Sequence, residues 1–117
     1  MRKNLRTLLA ENDHLFGCFV QIPSPEIVEM ARHFDYVIID GEHGHISHEQ
    51  MLSMVRAAEA VDLAVMVRIS DIEPVLINRI LDMGVTSLLV PNVSSKKDAM
   101  ALVEAAYYPP LGSRGAC

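Results

Sequence analysis

Tryptophan is absent from this 117-residue sequence, aromatic residues make up 5% of it, and cysteine occurs only at positions 18 and 117. Cys18 lies inside an apolar run and Cys117 is the last residue, so the pair forms no disulfide framework. They read as free thiols in a reducing cytoplasm, and neither has an adjacent base that would make it a nucleophile. No apolar run approaches the ~20 residues of a membrane-spanning helix, and the opening MRKNLRTLLAENDH lacks a signal-peptide core. That opening reads as a short amphipathic helix with Leu5, Leu8 and Leu9 on one side. Basic charge is scarce as well. Ten Lys and Arg stand scattered against fifteen Asp and Glu, for a net charge of −5. No basic face for nucleic acid and no polybasic segment for an anionic membrane results.

What is present is a globular pattern: half of the residues are hydrophobic and 21% are charged. Residues 1–117 read as a single domain able to bury about two-thirds of its unfolded surface. Four units of one kind follow each other. FGCFVQI (16–22), YVIID (36–40), LAVMVRI (63–69) and TSLLVP (86–91) are strands, each short and rich in Val, Ile and Leu. Each precedes a helix: SPEIVEMARHF with Ser24 as N-cap and Pro25 first, a helix from about 47 to 60, EPVLINRILDMG stopped by Gly84, and KKDAMALVEAAYY broken by Pro109 and Pro110. Strand–helix alternation of this kind gives a parallel sheet covered by helices. Two α/β architectures suit it: an open doubly wound sheet, or half of a (β/α)8 barrel. Both put functional groups at the carboxyl ends of the strands.

Those ends carry Gln21, then Asp40-Gly41-Glu42-His43, then Arg68, then Pro91-Asn92. Carboxylates, a histidine and an arginine thus converge on one mouth. His43 is of the residue type that takes and returns a proton near neutrality, or it is a hydrogen-bonded loop histidine. Asp40 either orients that histidine, supports a metal-bound water, or closes the loop. Glu42 has the same options, or contacts a neighbouring chain. His45 and His48 complete an H-x-H-x2-H pattern, but its spacing matches none of the strong zinc frameworks, and His48 falls on a helical first turn facing solvent. Arg68 ends an apolar strand, where its fork needs either an anionic ligand or a strand-end acid such as Asp40 or Glu42. Asp82 stands at a helix C-terminus, opposed by the helix dipole. In the tail YYPPLGSRGAC, glycines flank Arg114, as either an anion-receiving loop or an ordinary one.

FDYVIIDGEHGHIS, VMVRISDIEPVLINRILDMGVTSLLVPNV and AAYYPPLGSRG, in this order, resemble the N-terminal half of the HpcH/HpaI aldolases, the metal-dependent class II pyruvate aldolases. The resemblance runs from about Phe16 onward. It implies a (β/α)8 TIM barrel of which about the first four β/α units are present, oligomeric, making or breaking a carbon–carbon bond through a pyruvate enolate. It implies a divalent metal (magnesium, manganese or cobalt), with pyruvate and an aldehyde as small-molecule partners. His43 matches the family's catalytic histidine. Asp82 matches that histidine's aspartate partner, which is contributed across a subunit contact. Arg68 matches the arginine that contacts the pyruvate oxygen, and Asp40 and Glu42 match supporting positions. The direct metal ligands of the family follow later strands, so no residue of this sequence inherits that role. A complete barrel takes about 250 residues. Two other readings stand beside the aldolase: a truncated, non-catalytic half barrel acting through subunit association, and a lyase of the citrate-lyase β type acting on acyl-CoA thioesters.

Overall fold

The computed structural model describes residues 3–116, so Cys117 lies outside the described residues. Its secondary structure begins with α1 (Leu5–Glu11) and alternates thereafter: β1 (Gly17–Val20), α2 (Pro25–Met30) continued by a 3-10 turn (Ala31–His33), β2 (Tyr36–Asp40), α3 (His48–Ala60), β3 (Ala64–Arg68), α4 (Pro74–Asp82), β4 (Ser87–Leu89) and α5 (Lys96–Ala106). The four strands are parallel and lie in the order β1-β2-β3-β4. That order separates the two architectures. A doubly wound sheet reverses direction at a switch point, whereas a barrel adds each strand beside the last. The chain is therefore a partial (β/α)8 barrel.

Local chemistry starts each helix where the sequence predicts. Ser24 accepts from the Ile27 amide ahead of Pro25, and Ser95 accepts from the Asp98 amide. Ser47 and Gln50 form a reciprocal capping box at α3. The cap of α4 is Glu73, which accepts from the Val75 and Leu76 amides through a carboxylate suited to the positive end of the helix dipole. Gly84 ends that helix region at φ 92°, a left-handed conformation that side chains resist.

Strand residues alternate between two faces. Val20, Val37, Ile39, Val65 and Val67 pack outward against Val28, Met54, Val55, Ala58, Ile77 and Ile80 of the helices. Tyr36, Ile38 and Asp40, paired with Ala64, Met66 and Arg68, face the other way, toward the barrel interior. Three strands are shorter than their apolar runs: 64–68 against the expected 63–69, and, losing most, 17–20 against 16–22 and 87–89 against 86–91. The last two are outermost, and pairing on one side alone holds fewer residues in the ladder. Leu9 corrects the reading of α1: Leu5 is buried and Leu9 is 62% exposed.

β1 pairs only with β2, and β4 only with β3, among the described residues. Two open parallel edges and the half-exposed Phe19 on the inward face form a template for pairing with another chain. The 117-residue polypeptide by itself is expected to self-associate. Size-exclusion chromatography with light scattering checks this, and a folded monomer at low micromolar concentration is the contrary result.

Candidate active site at the strand ends

Asp40 is the one fully buried charged side chain among the described residues. It ends β2 directly opposite Arg68, the last residue of β3, with both side chains on the inward face. Arg68 donates through Nε to Oδ1 at 2.9 Å and through Nη2 to Oδ2 at 2.7 Å, a two-pronged match of fork to carboxylate. Oδ2 also accepts from Gln21 Nε2 at 2.8 Å. Oδ1 also accepts from the amides of Glu42 and His43, at 3.0 and 3.1 Å. The Arg68 guanidinium, aided by the amides and Gln21 and opposed by burial, holds the Asp40 carboxyl well below the usual carboxylate range.

Those two amide bonds turn the chain after β2. The Gly41 amide donates to the Arg68 carbonyl at 2.8 Å, and a Cβ at Gly41 would stand 2.6 Å from that same oxygen. A Cβ at Gly44 would stand 2.4 Å from the Asp40 carbonyl. The D-G-E-H-G loop therefore folds flat over the ends of β2 and β3, and only glycine fits at these two points. It delivers His43 to the mouth with its side chain 67% exposed and Nε2 3.8 Å from Glu42 Oε1. The other oxygen of Glu42 lies 3.4 Å from Arg68 Nε. Glu42 thus stands between the histidine and the arginine. Phe19 of β1 covers the guanidinium, 4.9 Å from ring centroid to Cζ.

Of the residues singled out in the sequence, the structure brings Gln21, Asp40, Glu42, His43 and Arg68 together. Asp40 supports His43 through the main chain and leaves the imidazole to other partners. Asp82 is elsewhere. It closes α4, which runs back from the mouth, so its carboxylate lies toward the opposite end of the sheet. There Arg114 donates to it through Nη2 at 2.8 Å and stacks on Tyr108 at 4.6 Å. The tail does not form an anion-receiving loop. Its amides at Gly112, Ser113 and Arg114 donate to the carbonyls of Tyr108, Glu104 and Tyr107. His48 is the exposed first residue of α3, and no three His, Cys, Asp or Glu side chains gather as a metal set among the described residues. Cys18 is half-buried in β1, where burial pushes its thiol pKa up. Phe19 is the participant that the sequence did not announce; its place two residues before Gln21, on the same face, was the available signal.

The inward-facing, acid-locked arginine and the loop histidine stand at the carboxyl ends of consecutive parallel strands, the end at which barrel enzymes build their sites. The chain belongs to the HpcH/HpaI aldolase/citrate lyase family, whose sequence model matches residues 15–117. It is 33% identical to the 4-hydroxy-2-oxovalerate aldolase of Novosphingobium aromaticivorans over 96% of its own length and 44% of that protein's. Among solved structures it is similar to the citrate synthase SbnG (TM-score 0.91, 32% identity, 97% of this chain and 47% of that one). It is likewise similar to an HpcH/HpaI aldolase from Desulfitobacterium hafniense (TM-score 0.90, 29% identity, 97% and 45%). The chain spans less than half the length of these relatives.

Because Asp40 is held ionised by its partners, its contribution to stability is full above its ordinary value of 3.8 and is lost as pH falls below that value. Urea unfolding measured from pH 7 down to pH 2 should show this loss in the wild type and a flatter profile in Asp40→Asn. Parallel profiles would assign the acid sensitivity to other groups. Gly41→Ala, which forces a Cβ onto the Arg68 carbonyl, should cost about 1–3 kcal/mol in the same assay at pH 7.

Proposed function

We propose that this chain carries the oxyanion-binding arginine and the proton-handling histidine of an aldolase. The reaction is reversible cleavage of a 4-hydroxy-2-oxo acid into pyruvate and an aldehyde. The observation that carries the reading is the Asp40–Arg68 fork at the strand ends, with His43 held over it by the same carboxylate. Asp40 occupies Nε and Nη2 of Arg68, so Nη1 remains for a substrate oxygen. In cleavage, the 4-hydroxyl loses its proton, the bond between carbons 3 and 4 breaks, and its electron pair passes into the 2-oxo group. Arg68 stabilises the oxygen that gains this charge. His43 takes the hydroxyl proton and returns it to the aldehyde oxygen in the synthetic direction.

Asp82 serves in this scheme as partner to the histidine of another subunit, since its own His43 lies across the sheet. The enzyme is then a homo-oligomer. Magnesium, manganese or cobalt is part of the proposal at the level of the family, but this half of the site does not provide a ligand set for it. Asp40 has both oxygens committed to five donors, and Glu42 leans on Arg68. The likeness to SbnG, named a citrate synthase, favours a second reading in which the same arginine steadies an enolate that attacks a different carbonyl partner.

In the full-length enzyme that contains this chain, His43→Ala should slow cleavage of 4-hydroxy-2-oxovalerate by ~10²–10⁴-fold. Near-wild-type pyruvate release by that variant would remove His43 from the mechanism. Arg68→Lys keeps the charge and loses the fork, so kcat/KM should fall by about tenfold or more. An unchanged value would reject Arg68 as the oxygen-binding group.

A further inference from the structure

Phe19, Gln21, Ile22 and Arg68 line a cavity of about 460 Å³ beside the mouth. The scheme above uses only Arg68 of these four. Gln21 Nε2 donates to Asp40 Oδ2, and an ionised carboxylate can only accept. The amide is therefore fixed end for end: its NH2 meets Asp40, and its Oε1 is the acceptor left over. Among the described residues that oxygen has no hydrogen-bond partner. Around it, Phe19 and Ile22 are half exposed, at 50% and 59%. The cavity thus offers one cation, one neutral acceptor and two apolar surfaces.

That set selects among small substrates. A methyl group set against Oε1 desolvates the carbonyl without pairing it. A carboxylate there meets an acceptor with an acceptor. A hydroxyl supplies the missing proton. Gln21 Nε2 and Arg68 Nη2 both donate to Asp40 Oδ2, at 2.8 and 2.7 Å, so the two groups stand side by side; with Arg68 taking a carbonyl oxygen, the hydroxyl sits within a few bonds of that carbonyl. We infer that Gln21 is a specificity-determining residue whose Oε1 accepts a hydrogen bond from a substrate hydroxyl on the carbon next to a reacting carbonyl. This rests on the aldolase reading of the site and names the kind of substrate it prefers. The hydroxyl has two chemical sources: the 3-position of the keto acid, or the 2-position of the aldehyde.

The experiment compares wild type and Gln21→Met in the full-length enzyme with two pairs of substrates. Hydroxypyruvate is set against pyruvate with one common aldehyde, and glycolaldehyde against acetaldehyde with pyruvate. In Gln21→Met, kcat/KM for the hydroxylated member of one pair should fall about three- to tenfold relative to its plain counterpart. The pair that responds identifies the source. Each ratio is taken within one preparation, so a variant that folds incompletely leaves it unaffected. If Gln21 acts only by holding Asp40, all four values fall together and both ratios stay fixed, which overturns the inference and leaves the aldolase reading intact. No carbon–carbon bond formation by the wild type with any of the four overturns both.

Discussion

The contact between Asp40 and Arg68 organises this half of the barrel. A carboxylate with no solvent exposure is costly unless its charge is met and its lone pairs are filled. Here both conditions hold, and the donors come from three different places: Gln21 just past β1, Arg68 on β3, and the amides of the loop after β2. One side chain therefore ties three strand ends together. It also fixes register, because sliding β3 by one residue would turn Arg68 outward into the apolar layer against the helices.

In the proposed reaction the same contact prepares chemistry. An arginine that must bind an oxygen works best when its orientation is settled beforehand, so that no ordering is required as charge develops. Asp40 supplies that orientation from below and Phe19 from above. It also removes part of the guanidinium's charge, which Glu42 removes further. The mouth is thus less electropositive than a bare arginine would make it, and a neutral carbonyl competes there on better terms with stray anions. His43 is placed by the loop's backbone, with Glu42 Oε1 3.8 Å from its Nε2, and its ring is exposed enough to meet groups brought by a substrate or a neighbouring chain.

Much of this was legible in the sequence, for identifiable reasons. Strand–helix alternation gave the parallel sheet. Ser24 ahead of Pro25 gave the start of α2, since a side-chain oxygen near free amides is a local interaction that needs no tertiary context. The strand-end rule alone gathers Gln21, Asp40, His43 and Arg68. What stayed hidden depends on partners distant in sequence. Arg68 had two candidate acids and a candidate ligand, and only the register of β2 against β3 makes Asp40 its partner. Phe19 looked like one more strand residue. Leu9 satisfied the helical period but not burial, because the seven-residue α1 has little surface to rest on. The glycines around Arg114 left an anion loop and an ordinary loop equally open, and Arg114 turns to Asp82 and leaves its Nε buried without a partner.

Asp82 shows how topology limits what one chain can do. In a parallel β/α unit the helix leaves the mouth and returns the chain to the start of the next strand. Pro74 to Asp82 is eight helical steps, so the axis of α4 carries Asp82 about 12 Å away from the level of Pro74 and the strand ends. No side-chain rotamer recovers that distance, and Arg114 anchors the carboxylate where it is. In the proposed reaction, Asp82 and His43 act on one proton only if two copies meet, with the helix end of one set against the mouth of the other. The ion pair to Arg114 suits such a role. An acid at a helix C-terminus is disfavoured by the dipole, and a fixed cation beside it offsets that cost while leaving the carboxylate partly exposed, at 41%. The misplaced charge that stood out in the sequence is therefore stabilised by contacts within its own chain, and the use proposed for it lies between copies.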